Sequence, residues 1–305
     1  MDLNIIGNGF DLGHGLPTMY WDFRKYLENM YPEFLKAFEE HYYIYPGMIT
    51  EEKKKLLWNE LETNLANIDE DIIIENAVSI DMDLESGDVG IEDTLYYYFR
   101  DEYSYIQQLA KYLKQWVRTI RIRDVERKTS HVDNNKEALY ITFNYTATLE
   151  NVYKISTEKI IHIHGSLREK DGDPILGHGN MARIENIKKN KDEAERLFDE
   201  KWSSICKVVE EYYQQTYKDV GRHTFKLLDL TKIDMKNIYV IGHSIAGVDQ
   251  LYFKNIDVFT KKKAKWSVYY YMDDEKQKLY NNLLNCGIDS SRIEMIPSTK
   301  YYDIL

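Results

Sequence analysis

Residues 5–18 read IIGNGFDLGHGLPT. With Asp2, Leu3 and Asn4 ahead of them, they describe a short apolar strand over residues 2–6 that runs into the turn Gly7-Asn8-Gly9 and then into a polar, helix-compatible stretch. Glycine tolerates positive φ and close backbone approach, so a tight strand-to-helix turn is expected there. Backbone amides in such a turn, backed by a helix N-terminus, can cradle phosphate oxygens. A bare structural turn would carry the same glycines. The dinucleotide fingerprint wants a third glycine three residues after the second. Leu12 holds that position, and Gly13 comes one residue late. No clean acidic strand end follows about 20 residues on. A hydride-transfer site is therefore disfavoured, and binding of a nucleotide by another route stays open.

Outward from this stretch, short apolar runs alternate with helical periodicity, the pattern of a sheet covered by helices. Strands are expected over residues 138–143, 159–164, 237–241, 266–271 and 292–296, and helices over 146–152, 193–218, 248–259 and 275–284. Residues 172–180 read as a glycine-containing loop. Between 20 and 116 no convincing strand pair appears. Helical spacing recurs over 20–38, 58–68 and 95–117, with an acidic loop at 80–90 and a polar connector at 124–136. The expectation is one domain over 1–305, with an α/β core from 1–19 and 137–305 and a helical insertion from 20–136.

A net charge of -11 disfavours nucleic acid as a partner, because an acidic surface repels phosphate backbones. Cys206 and Cys286 stand alone, which excludes a zinc ribbon and gives no disulfide framework. Isolated thiols fit a reducing compartment, so a cytoplasmic location is expected. No signal peptide is apparent, and no apolar run approaches the roughly 20 residues that cross a bilayer.

Three further motifs fall at expected strand ends. In ITFNYTATLE, residues 141–150, Asn144 sits between strand and helix, where an amide can hold a ribose hydroxyl or a water, or cap the helix. In IIHIHGS, residues 160–166, His162 and His164 share one strand face, and Gly165 leaves room for the second ring. An imidazole is a suitable general base near neutral pH. Packing in the core, or a metal held by His162, His164 and His178, are the alternatives. In YVIGHSIAGVD, residues 239–249, Gly242-x-Ser244 resembles a nucleophile elbow, but a hydrolase triad of that type needs a later histidine. None follows His243. The turn is left as another glycine turn at a strand end, where Ser244 and backbone N–H groups contact a ligand, or as a plain turn with Ser244 as a cap. A parallel sheet brings all of these ends to one edge.

Taken in order, IIGNGFDLGHGLPTMYWDF, TFNYTATLE, HIHGS and GHSIAGVD resemble the bacterial AbiH family, which is associated with abortive infection of phage-attacked cells. The same blocks resemble sirtuin-like NAD-binding domains. Gly7, Gly9, Asp11, Gly15, Leu16 and Pro17 follow the order of their first motif. Asn144 matches their asparagine, His164-Gly165 their catalytic pair, and Gly242 and Ser244 their later turn. Tyr145-Thr146 stands where an aspartate is usual, and the four-cysteine zinc module of deacylating sirtuins is missing. The resemblance thus implies a Rossmann-like, sirtuin-like α/β fold and NAD as substrate or ligand without protein deacylation. It implies His164 and Asn144 as catalytic residues. Gly7, Asn8, Gly9, Asp11, Pro17, Gly165, His178, Gly242, His243, Ser244 and Asp249 would be nucleotide contacts, and no metal is expected. The corresponding activity is NAD glycohydrolysis that depletes the cofactor on infection, under control of a phage trigger. A sensor of NAD or ADP-ribose, or a partner-binding module without turnover, is the other reading. Homo-oligomerisation stays open.

Overall fold

The computed structural model of the protein describes residues 1–70 and 106–304. The acidic loop expected at 80–90, and the first part of the helix expected over 95–117, lie outside those residues. Six strands form one sheet: β1 Asp2–Ile6, β2 Leu139–Thr142, β3 Ile160–His162, β4 Asn237–Ile241, β5 Lys265–Tyr270 and β6 Ile293–Pro297, in the order β3-β2-β1-β4-β5-β6. Every pairing is parallel. This is the Rossmann-like sheet that the strand pattern implied.

Central parallel strands are buried on both faces, and their sequences show it. Leu3 and Ile5 of β1 join Ile141, Ile238, Val240 and Val268 in the core on one side. Ile6, Tyr140 and Ile241 join the aromatic core on the other. The strand order reverses between β1 and β4, where open α/β sheets leave a crevice beyond the strand ends.

Two helices differ from the sequence expectation for identifiable reasons. The single helix expected over 20–38 breaks into Tyr20–Met30 and Pro32–Glu40, because Pro32 lacks the N–H that a helix interior needs and instead opens the second helix. The helix expected over 193–218 is a hairpin of Met181–Arg196 and Glu200–Gln215. Between its arms, Phe198 takes a positive φ of 56°. The Asp199 carboxylate accepts from the Trp202 amide and restarts the helix. The first arm is charged along most of its length, and only Ile184, Ile187 and Ala194 are buried, so periodicity under-reads it.

The chain divides into two compact units. The sheet unit comprises 1–19, 114–175 and 219–305, and the second unit comprises 20–113 and 176–218. Residues 176–218, expected in the α/β core, thus belong with the insertion, and 114–136, expected in the insertion, belong with the sheet. In the second unit, every regular element among the described residues is helical. Its interior holds an ion pair of Arg24 with Glu39 at 2.6 Å, and the Trp58 indole N–H donates to the same carboxylate at 2.7 Å. Lys218, its side chain fully buried, pairs with Glu62 at 2.7 Å.

Candidate active site

The glycine turn after β1 locks onto the glycine turn after β4. The Gly7 amide donates to the Ile241 carbonyl at 2.9 Å and the Gly9 amide to the Gly242 carbonyl at 2.8 Å. A Cβ on Gly7 would lie 2.5 Å from the Gly242 oxygen, and one on Gly9 would lie 2.7 Å from the Gly242 Cα. Gly242 itself has φ +67°. The positive φ anticipated in the first turn is therefore found in the second, and Gly7 and Gly9 are required by close approach. The Phe10 amide turns back to the Gly7 carbonyl at 2.9 Å. These three amides are engaged inside the protein and do not face outward as a phosphate cradle. Asn8, between them, is exposed, with its side-chain amide donating to the Thr18 carbonyl at 3.0 Å.

The segment after β2 is tied to the same helix, Asn8–Gly13. Asn144 donates to the Gly7 carbonyl at 3.1 Å. Thr146 and Thr148 donate to opposite oxygens of Asp11 at 2.5 and 2.7 Å. Burial pushes the Asp11 carboxyl up to about 6, against the pull of hydrogen bonds from Thr146, Thr148 and Asn144 and of the His162 charge. Asp11 is thus a clamp between the two loops. The threonines that hold it were missed as site residues, although TFNYTATLE places them two apart after the asparagine.

β3 ends at His162, so His164, expected on the same strand face, instead lies buried in the turn two residues beyond, with Nε2 3.2 Å from Asp249. Asp249 closes the short turn Gly247–Asp249 that follows β4. Its other oxygen lies 3.5 Å from Nε2 of His243. Both rings stack edge-on around Phe143, at 5.0 Å for His164 and 4.2 Å for His243. Gly165 has φ +79°, and a Cβ there would strike the Asp173 carbonyl at 2.2 Å, so glycine is what lets the 165–175 loop fold back beside His164. Ser244 is exposed on the turn after β4.

His162 faces away from this group. Its Nε2 lies 2.9 Å from a Glu150 carboxylate oxygen and its Nδ1 3.2 Å from the Asn144 carbonyl. Arg168 joins Glu150 at 3.0 Å and Asp171 at 2.5 Å. This half-buried network, with Glu150 at its centre, had no distinct sequence signal beyond the charges themselves. His178 is packed inside the second unit against Tyr213 and Tyr217, its Nδ1 accepting from the Asn180 amide at 3.0 Å. Burial lowers its ring to about 4. Among the described residues no three of His, Cys, Asp or Glu gather as metal ligands would. Pro17 lines a cleft of about 590 Å³ with His14, Leu16, Trp116, Ile120 and Arg121, and neither Asn144 nor His164 borders it.

The sequence profile of bacteriophage abortive infection AbiH matches residues 3–270. The chain belongs to that family. The matched stretch runs from Leu3 in β1 to the last residue of β5, and so includes Gly7, Asn144, His164, His243 and Asp249. No curated protein sequence matches it. Among the described residues of this AbiH protein, no helix is long and apolar enough to cross a membrane. Membership in the family implies a role in antiphage abortive infection.

Proposed function

We propose that this protein is an NAD glycohydrolase of abortive infection, with His164 as general base. The observation that carries the reading is the His164–Asp249 pair, 3.2 Å apart at the strand-end edge of a sheet whose order reverses beside it. A histidine beside a carboxylate at such an edge is suited to taking a proton from a bound water or ribose hydroxyl. In the reaction, the bond between ribose C1′ and the nicotinamide nitrogen breaks. A new bond forms from C1′ to the water oxygen, and His164 removes the proton of that water. Nicotinamide leaves as a neutral molecule, so no acid is required for its departure. Asn144, anchored on the Gly7 carbonyl, sits on the same edge and positions the water or the ribose. The interlocked glycines hold the β1 and β4 ends at fixed separation. The pyrophosphate is then met by groups other than the amides of Gly7, Gly9 and Phe10. The resemblance to sirtuin-like NAD-binding domains supports NAD as the substrate to try first. Depletion of a cytoplasmic NAD pool would stop an infected cell, and the helical second unit is the natural place to keep the enzyme silent until a phage trigger arrives.

The test is nicotinamide release from NAD by purified protein, alone and with phage lysate. His164→Ala should lower turnover by about 10²–10⁴-fold while leaving NAD affinity largely unchanged. Wild-type turnover in that variant would end the mechanism. Calorimetric binding of NAD with no release under any condition would instead establish a sensor.

A further inference from the structure

We propose that Lys226 is a positioning residue, whose ammonium gathers the carbonyls beyond β3 and so fixes the turn that carries His164. The inference rests on the assignment of His164 as base and adds the group that sets its place on the edge. An ammonium has three N–H donors and no acceptor. Lys226 Nζ donates to the His162 carbonyl at 3.1 Å, to the Ile163 carbonyl at 3.2 Å and to the Asp171 carbonyl at 3.5 Å. Successive carbonyls of an extended strand point in opposite directions. Two neighbouring carbonyls that converge on one nitrogen therefore require the chain to leave the extended form between them. β3 does end at His162, and Ile163 and His164 form a turn. The second of the two carbonyls belongs to the peptide that enters His164. The turn takes the His164 ring off the face of His162 and leaves its Nε2 3.2 Å from Asp249.

Lys226 reaches the turn from the short 3₁₀ helix Thr224–Lys232. Residues three apart eclipse in such a helix. Leu227 and Leu230 are buried in the core that also holds Ile163, and Phe225 and Leu228 are exposed. The remaining face carries Lys226, which is half-buried. Packing thus anchors the base of the side chain, and its head joins both arms of the loop. Asp171 lies on the returning arm, where its carboxylate accepts from Ser166 Oγ at 2.6 Å and from Arg168 Nε at 2.5 Å. Farther along that arm, the Ile175 amide donates to the His164 carbonyl at 2.9 Å, and the Tyr145 hydroxyl donates to the Ile175 carbonyl at 2.7 Å. The peptides on either side of His164 are therefore both held, the entering one by Lys226 and the leaving one by Ile175. A neutral amide at position 226 has two donors and could not serve all three carbonyls.

Amide hydrogen exchange and nicotinamide release in the full chain test this together. In Lys226→Met, which keeps the aliphatic stem, the amides of Gly165, Ser166 and Ile175 should exchange about tenfold faster, and those of β1, β2 and β4 should be unchanged. The kcat should fall about 10–100-fold at unchanged KM, the loss that a small misplacement of a reacting group produces. Lys226→Cys treated with 2-bromoethylamine rebuilds a side chain of lysine's length that ends in an ammonium. Cys206 and Cys286 are buried, and burial pushes both thiols up to about 11, so the introduced thiol is the reactive one. The treated protein should regain both the exchange protection and kcat, and the untreated variant should not. Loop exchange that stays at the wild-type rate in Lys226→Met would overturn the proposal. So would faster exchange spread evenly over the sheet with kcat unchanged per folded molecule, which is what a purely structural lysine would give. Absence of NAD turnover in the wild type would remove the hydrolase assignment alone, and the exchange rates would still decide whether Lys226 holds the turn.

Discussion

At the scale of single residues, two buried groups make separable demands. Asp11 has its carboxyl raised from 3.8 to about 6 by burial. A raised carboxyl means that the folded state binds the proton more tightly than the unfolded chain. Its contribution to stability is present below the unfolded value and is lost as pH rises from about 4 through about 6. The size is on the order of 3 kcal/mol across that window. Asp11→Asn keeps an oxygen to accept from Thr146 or Thr148 and does not titrate. Urea unfolding between pH 4 and 7 should show this decline in the wild type and not in the variant, and identical pH slopes would refute the assignment. His162 is the second case. Its ring nitrogens are within hydrogen-bond distance of Glu150 and of the Asn144 carbonyl, away from His164, Asp249 and His243. His162→Ala should lower stability by about 1–3 kcal/mol, the cost of leaving a buried acceptor without its partner. The turnover of the folded fraction should stay at the wild-type value. A loss of rate without loss of stability would move His162 into the catalytic group.

At the scale of elements, the joint between the β1 and β4 turns is a close constraint on the sheet unit. Backbone meets backbone there, so nothing flexible can move aside. Gly9→Val should destabilise the protein by about 3 kcal/mol or more, since its branched side chain would enter space held by the Gly242 Cα. A folded Gly9→Val protein with a wild-type melting temperature would contradict the contact. The opposite situation occurs at the tip of the helical hairpin. Phe198 is 91% exposed and holds a left-handed backbone that L residues resist. Phe198→Gly removes that strain at the expense of extra freedom in the unfolded chain. The net expectation is a gain of about 0.5–1 kcal/mol in urea denaturation, and a loss of stability would show that the ring makes contacts of its own.

At the scale of the whole molecule, membership in the AbiH family ties the protein to a cellular outcome. Cells carrying the wild-type protein should restrict phage spread at the cost of the infected cell, and nicotinamide should rise as NAD falls within one infection cycle. His164→Ala should restore phage growth and hold NAD at its uninfected level. Protection that persists in this variant, with NAD intact, would separate abortive infection from glycohydrolysis.

The strands were legible because each is a short, largely apolar run between helical stretches, and the central ones, buried on both faces, can be little else. The strand-end motifs were legible for the same reason: parallel strands must present their C-terminal ends at one edge, so Asn144, His164 and Gly242 were expected together before any coordinates. The family itself was written in four blocks of local sequence. Other features depend on contacts between residues far apart in the chain. That Gly7 and Gly9 serve a backbone contact, and that Thr146 and Thr148 close on Asp11, are facts of approach distance. A glycine has the same letter whether a phosphate or another glycine lies against it. The assignment of 176–218 to the second unit could not be read either, since periodicity shows that a helix has an apolar face and not which partner covers it. The pairing of His164 with Asp249 and His243 is of the same kind. It joins the ends of β3 and β4, which lie on opposite sides of β1 and β2, and only the folded sheet brings those side chains within 3.5 Å of one another.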